Sequence, residues 1–313
     1  MPFPLRLVPD DTAIRFMRGR FAGPLVSAVL SIASIILFFV PGLNYGIDFR
    51  GGVVTELRLQ QEPDLAALRA GFEGLHLGEV KLQGFGASRD VRVSLDQRAA
   101  NDDAKHAMSA MLTRDFPGTE IRSAEAIGAR VSAELFRHGM LASAAALAAV
   151  LVYIWFRFDW RFGVGVVATL LLDLTKTIGF LALTQLQFDL NSVAAILMLI
   201  GYSVTDKVVV YDRIRENLRK HPTMALRALI DRSINQTLGR TVATSLTVLL
   251  SILPLALIGG ESIRDFAVII IFGIVVGTSS SIFIAAPLLL YLGRNALGGA
   301  ARPAALADRS ATA

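Results

Sequence analysis

Five ionisable residues stand in stretches that are otherwise apolar: Asp173 and Lys176 within Phe162–Phe188, Asp206 and Lys207 within Leu190–Tyr211, and Arg240 at the start of the next run. An ionised group in hydrocarbon costs at least ~2.5 to 3.5 kcal/mol on insertion scales, so such residues face a protein or water-filled interior and have partners there. Carboxylates and amines in that setting can take up, pass on and release protons. Asp173 and Lys176, at i and i+3, share a helix face and can neutralise each other. Asp206 and Lys207 are adjacent, diverge by about 100° around the axis, and look outward to other helices. Asp206 sits seven residues before Arg213 at the end of one run, and Arg240 opens the following antiparallel one. The two side chains reach similar depth, so an Asp206–Arg240 pair is geometrically allowed, as is competition between Lys207 and Arg240 for one carboxylate.

The elements that must position these groups are membrane helices. Of 313 residues, 53% are hydrophobic and 18% charged, and the mean hydropathy is +0.54, more apolar surface than one soluble core can bury. Charge-free runs at Phe21–Ile47, Gly139–Phe156, Thr241–Gly260 and Phe266–Gly293 each reach the roughly 18 to 20 residues that cross a ~30 Å hydrocarbon layer. With the two charge-bearing runs they predict six transmembrane helices. The first run is longer than a signal-peptide core and ends in Pro41-Gly42-Leu43-Asn44 without a small-x-small site, so an uncleaved first helix is expected over residues 21–42.

Lys and Arg near helix ends are retained in the cytoplasm. They collect before the first helix (Arg6, Arg15, Arg18, Arg20), at Arg157 and Arg161, between Arg213 and Arg232, and after the last helix (Arg294, Arg302, Arg309). Both termini, residues 1–20 and 294–313, are therefore expected inside. The stretch 43–135 between the first two helices, with fourteen Asp/Glu against eleven Lys/Arg up to Glu134, is expected outside as a folded domain. Its periodicity reads strand, helix, strand, strand, helix, strand: Val53–Leu59, Asp64–Leu75, Val80–Phe85, Val91–Leu95 after a break at Gly86-Ala87-Ser88, Asp103–Phe116 and Thr119–Ile127. The predicted fold is thus an α-helical multi-pass membrane protein with one extracytoplasmic α+β, ferredoxin-like βαββαβ domain. Residues 136–293 hold helices two to six, with an amphipathic segment at 213–238 read as an interfacial helix meeting anionic membrane lipids.

Three blocks stand in order along this frame. The first is Gly46-Ile47-Asp48-Phe49-Arg50-Gly51-Gly52, where glycines suit a tight backbone at the membrane surface. The second runs from Ile200-Gly201-Tyr202-Ser203 through Asp206-Lys207 to Arg219 and continues at Arg232-Ser233-Ile234-Asn235-Gln236-Thr237-Leu238-Gly239-Arg240-Thr241. The third is Gly273-Ile274-Val275-Val276-Gly277-Thr278-Ser279-Ser280-Ser281 and on to Pro287, whose small residues suit close helix packing. In this order the blocks closely resemble the SecF family over about residues 21–293. The resemblance implies a proton-gradient-driven accessory to the SecYEG channel in a bacterial inner membrane. It implies pairing with a SecD-like subunit in a twelve-helix assembly of the RND superfamily, acting on a translocating unfolded polypeptide. It also places proton coupling at Asp206 and Arg240 and makes Gly46, Asp48, Phe49, Gly51 and Gly52 a family motif. Where many members have His-Asp, this chain has Leu172-Asp173 followed by Lys176; where many have Asn-Asp-Thr, it has Thr205-Asp206-Lys207.

Other classes fit less well. An intramembrane aspartyl protease needs Gly-x-Gly-Asp, whereas Asp206 follows Tyr202-Ser203-Val204-Thr205 with a lysine beside it that disfavours a shared proton. Half of an RND-type small-molecule or lipid exporter would carry a much larger insertion than this ninety-residue stretch. No Gly-rich phosphate loop with Lys is present, so no nucleotide is expected as a direct energy source. With no cysteine and only His76, His106, His138 and His221, neither a metal nor another cofactor is expected, and no enzyme. The pI of about 9.8 reports topology; the clustered cations and stacking aromatics that bind nucleic acid are missing.

Overall fold

The computed structural model describes residues 8–9, 12–78, 80–84, 88–95, 102–259 and 261–292. The tail 294–313, most of residues 1–11, and Gly86 and Ala87 of the expected strand break lie outside them. Among the described residues, six helices are long and apolar enough to span a membrane. They are α1 (Ala22–Phe39), α5 (Ala129–Arg157), α6 (Trp160–Thr184), α7 (Leu190–Lys220), α8 (Leu226–Ile258) and a sixth span made of α9 (Glu261–Ser280), a π-helical turn (Ser281–Ala285) and α10 (Ala286–Leu292). Half of each apolar window in α6, α7 and the sixth span is buried, against 17% or less in α1, α5 and α8. The first three therefore form the centre and the others the periphery, and the charges of α6 and α7 point into that centre.

Small residues let the central helices approach. A Cβ on Gly273 would lie 2.2 Å from Leu199, and one on Gly277 would lie 3.4 Å from Ser203, so α9 crosses α7 almost backbone to side chain there. On the periphery, a Cβ on Gly179 of α6 would lie 2.2 Å from Ser34, and one on Gly23 would lie 2.2 Å from the Phe283 carbonyl, which seats α1 against α6 and the π turn. The turn itself is held by the buried Tyr211, whose hydroxyl donates to the Ala285 carbonyl at 2.8 Å. π turns inside helices expose backbone groups that need such partners, and they are frequent at functional sites.

Between α1 and α5 the chain forms β1 (Asn44–Tyr45), a single helical turn α2 (Ile47–Arg50), β2 (Gly52–Arg58), α3 (Leu65–Glu73), β3 (Val80–Gly84), β4 (Asp90–Leu95), α4 (Asp102–Asp115) and β5 (Glu120–Ile127). The sheet order β3-β4-β2-β5, antiparallel throughout, is that of a ferredoxin-like unit. Alternation places Val53, Leu57, Val91 and Val93 against Leu68, Phe72, Met108 and Leu112 of the two helices. Asp64 caps α3 by accepting from the backbone of Ala66 and Ala67. A second, two-residue parallel pairing joins β1 to β6 (Gln187–Phe188), the connection between α6 and α7.

The interfacial helix expected within 213–238 does not form. At ~1.5 Å per residue, the 31 residues of α7 and the 33 of α8 both exceed the ~30 Å hydrocarbon layer, and each runs on as one continuous helix into an antiparallel hairpin. The apolar face of Leu229, Ile230, Ser233 and Ile234 is fully buried. It packs against the end of α7 and against Phe16 and Met17, with Asn217 donating to Ser233 and to Gln236 at 2.8 Å each. The amphipathic pattern marks a protein-facing side.

Candidate functional site

Asp173 of α6 is 6% exposed and gathers donors from two neighbouring helices, α7 and α9. Its Oδ2 accepts from Lys207 Nζ at 2.8 Å, from Ser203 Oγ at 2.9 Å and from Ser280 Oγ at 2.6 Å. Lys176 Nζ lies 3.6 Å from Oδ1, the i,i+3 approach expected from spacing. Lys207 is completely buried and also contacts the hydroxyl of Ser203. One carboxylate thus stands between two lysines.

Asp206 is 7% exposed and has a different environment. Its Oδ1 accepts from Thr241 Oγ1 at 2.7 Å and its Oδ2 from Ser281 Oγ. Both partners are neutral hydroxyls. Among the described residues no cation comes within ion-pair distance of it, and the pair with Arg240 is not made: Arg240 is exposed on the outer side of α8. The reason is azimuth. Arg240 and Thr241 share a depth but differ by about 100° around the helix, and the inward position belongs to Thr241. For the same reason Lys207 does not compete for Asp206; it turns to α6 and Asp173.

One turn further towards the end that carries the ferredoxin-like unit, the same three helices supply a layer of hydroxyls. Tyr202 contacts Ser245 at 2.6 Å, and Ser245 contacts Thr278 at 2.8 Å. Tyr202, Ser245 and Thr278 stand four, four and three residues from Asp206, Thr241 and Ser281, so the layers stack. Hydroxyls both donate and accept and can turn between roles. The serines following Gly277 read in sequence as packing residues; Ser280 and Ser281 are ligands of the two aspartates. The one available signal was a run of hydroxyl residues where leucine would fill the space.

The Gly46–Gly52 block makes a joint between the ferredoxin-like unit and the central helices. Gly46 donates to the Phe188 carbonyl at 3.0 Å, and a Cβ on Gly46 would lie 3.2 Å from the Asp189 side chain. Asp48 Oδ2 accepts from the backbone N–H of Leu190 at 2.9 Å, which places it on the positive N-terminus of α7 beside Asp189, whose Oδ1 accepts from Ser192 N at 2.8 Å. Burial pushes the Asp189 carboxyl up from its usual range against that hydrogen bond, and the charge of Asp48 adds to the rise. Phe49 packs on Phe136 of α5 and Phe188. Gly51 and Gly52, at φ 71° and 128°, turn the chain into β2 with angles that side chains resist. Among the described residues no group of three His, Cys, Asp or Glu is placed to hold a metal.

Two family models match: "Protein export membrane protein SecD/SecF, C-terminal" over residues 107–295 and "SecD/SecF GG Motif" over residues 36–63. The protein translocase subunit SecF of Rickettsia bellii is 43% identical over 290 residues, covering 92% of this chain and 96% of that protein. SecF of Rickettsia typhi is 41% identical, with 92% of this chain and 94% of that one covered. The crystal structure of SecDF from Thermus thermophilus, described as a translocon-associated membrane protein, superposes with a TM-score of 0.84 at 34% identity over 93% of this chain; this chain spans 39% of it. Matched by the family model over more than half its length and 41 to 43% identical to relatives along nearly their whole length, the chain belongs to the SecF family of SecD/SecF protein-export membrane proteins.

Proposed function

We propose that this chain is the SecF subunit of an accessory complex that assists translocation of unfolded polypeptides through the SecYEG channel, paired with a SecD-like subunit and driven by a proton gradient. The observation that carries the mechanism is the contrast between the two buried aspartates. Asp173 is committed to Lys207 and Lys176, and removing its charge would strand two ammonium groups. Among the described residues Asp206 is held by Thr241 and Ser281 alone, so it can gain and lose a proton without breaking an ion pair. Protons reach it through the Tyr202–Ser245–Thr278 layer from the exported side.

Uptake of a proton by Asp206 changes what Ser281 faces, and Ser281 is bonded through the chain to Ser280 on Asp173. The π turn that begins at Ser281 gives this part of the sixth span a backbone able to shift by small register changes. Movement of α7 against it reaches Leu190, where Asp48 ties the helix to the ferredoxin-like domain. In this reading both termini and the α7–α8 hairpin are cytoplasmic and residues 43–135 exported. The outward Arg240 lies on the side of α8 that the SecD-like subunit covers.

The test is genetic and biochemical together. Pull-down of the tagged chain from native membranes should bring the SecD-like subunit in stoichiometric amount, and depletion should cause unprocessed exported precursors to accumulate. A chain purified alone from those membranes, with normal precursor processing after depletion, would refute the assignment.

A further inference from the structure

The segment before α1 is strapped onto the cytoplasmic part of α8. Asn235 clamps the backbone of Ile14 at both ends, Oδ1 accepting from its N–H at 3.0 Å and Nδ2 donating to its carbonyl at 2.8 Å. Asp231 Oδ1 accepts from Met17 N at 2.8 Å, and the Met17 side chain is fully buried beneath. Strap and helix enclose an open cleft of about 630 Å³, within the size range of small-ligand sites.

Three exposed arginines line this cleft: Arg15 from the strap, and Arg227 and Arg232 from α8. Among the described residues none of the three has an ion-pair partner within 4.0 Å. The carboxylate in the lining, Asp231, lies within electrostatic reach of Arg15 and Arg227 and offsets part of their charge, while its Oδ1 accepts from Met17 N. Three arginines against one carboxylate leave the concavity with net positive charge, which a bound anion neutralises. The rest of the lining sets Ala13, Ala225, Ala228 and the half-exposed Ile14 beside the polar Thr12, Asn235 and Gln236. The strap enters the membrane at Ala22, a few residues beyond Arg15. Gln236 lies five residues, roughly 8 Å of helix, before the charge-free run that begins at Thr241.

We propose that this cleft binds the headgroup of an anionic phospholipid of the leaflet it faces, its phosphodiester among Arg15, Arg227 and Arg232 and its acyl chains running past Ile14 into the bilayer. A free phosphate shares the charge but has nothing to place on Ala13, Ile14, Ala225 and Ala228, the apolar part of the lining. The bilayer supplies phospholipid continuously at this depth, so the lipid is the occupant. The bound headgroup bridges strap and helix and holds α8, whose next two turns carry Thr241 towards Asp206. A polybasic site of this kind gains about a factor of five per cation from an anionic surface.

The test uses the intact complex in detergent. Short-chain phosphatidylglycerol, phosphatidylcholine of the same chain length and inorganic phosphate are each titrated and followed by native mass spectrometry. Phosphatidylglycerol should bind in one saturable site, with phosphatidylcholine and millimolar phosphate failing to compete. The triple variant Arg15→Gln, Arg227→Gln, Arg232→Gln should weaken that binding on the order of a hundredfold while leaving the thermal midpoint in lipid-free detergent unchanged. Asn235→Ala, which keeps all three charges but releases the strap, should weaken it too. Equal binding of phosphatidylcholine, displacement by inorganic phosphate, or undiminished binding in the triple variant would each overturn the proposal.

Discussion

Ser280 and Ser281, neighbours in the chain, donate to different aspartates: Ser280 to Asp173 at 2.6 Å and Ser281 to Asp206. A π turn begins between them. A regular α-helix separates adjacent side chains by about 100°, which lets one pair of serines reach carboxylates on two positions of the α6–α7 surface. The two aspartates are thereby linked through one peptide unit although they lie on different helices.

Asp173 and Lys207 should behave as a structural pair. Asp173→Asn leaves two buried ammonium groups without their counterion, and breaking a buried pair costs about 3–5 kcal/mol. Lys207→Met leaves Lys176 as the remaining cation at 3.6 Å and should cost less. The double variant Asp173→Asn, Lys207→Met strands only Lys176 and should recover part of the loss. Thermal unfolding of the detergent-solubilised complex measures all three; a double variant as unstable as the sum of the singles would contradict the pairing.

The position of Arg240 separates depth from direction. Helix order and the antiparallel run were enough to set it level with Asp206, but its azimuth depends on how α8 packs, and one residue of offset moved the inward place to Thr241. The same limit hid the roles of Ser280 and Ser281 and made a buried helix face at Leu229–Ile234 resemble a membrane-surface one, since amphipathicity reports that a face is covered and not by what. The six spans and the βαββαβ order were legible because long apolar runs and alternation are properties of single segments.

Arg240→Met should accordingly leave the Thr241 and Ser281 hydrogen bonds to Asp206 in place while weakening association with the SecD-like subunit. Thr241→Val should do the reverse, costing about 1–3 kcal/mol of stability through a carboxylate left with one donor fewer. Co-purification yield and thermal midpoint read the two separately. Normal SecD recovery with Arg240→Met would remove Arg240 from the interface.

Asp48 is a cap supplied from 142 residues away. Asp48→Ala should cost roughly 1 kcal/mol, the usual value of a lost N-cap, and should loosen the joint more than the helix. Hydrogen exchange at Leu190 and at the β1–β6 pairing should speed up while exchange in α7 beyond Tyr202 stays slow. Unchanged protection at the joint would show that Asp48 does not hold it.

The neighbouring Asp189 gives the joint a pH dependence of known sign. Its carboxyl is raised by burial, so the folded state binds the proton more tightly than the unfolded chain does. Its ionisation costs stability in full above the raised value, and that cost shrinks as pH falls below it and is gone once pH is under the ordinary carboxylate value. The joint should therefore exchange more slowly, after correction for intrinsic rates, as pH falls into the carboxylate range. Asp189→Asn, which keeps an acceptor for Ser192, should flatten the profile; an unaltered profile would assign the dependence elsewhere.

The central claim is that Asp206 carries the proton. The most direct measurement is the rate of precursor translocation against an imposed proton gradient in vesicles containing the channel and equal amounts of assembled complex, comparing the parent chain with Asp206→Asn. Asparagine keeps an acceptor for Thr241 and can donate to Ser281, so assembly should survive. The account predicts a rate that rises with the gradient for the parent and stays at the zero-gradient level for Asp206→Asn. Full gradient stimulation of the Asp206→Asn complex would contradict it.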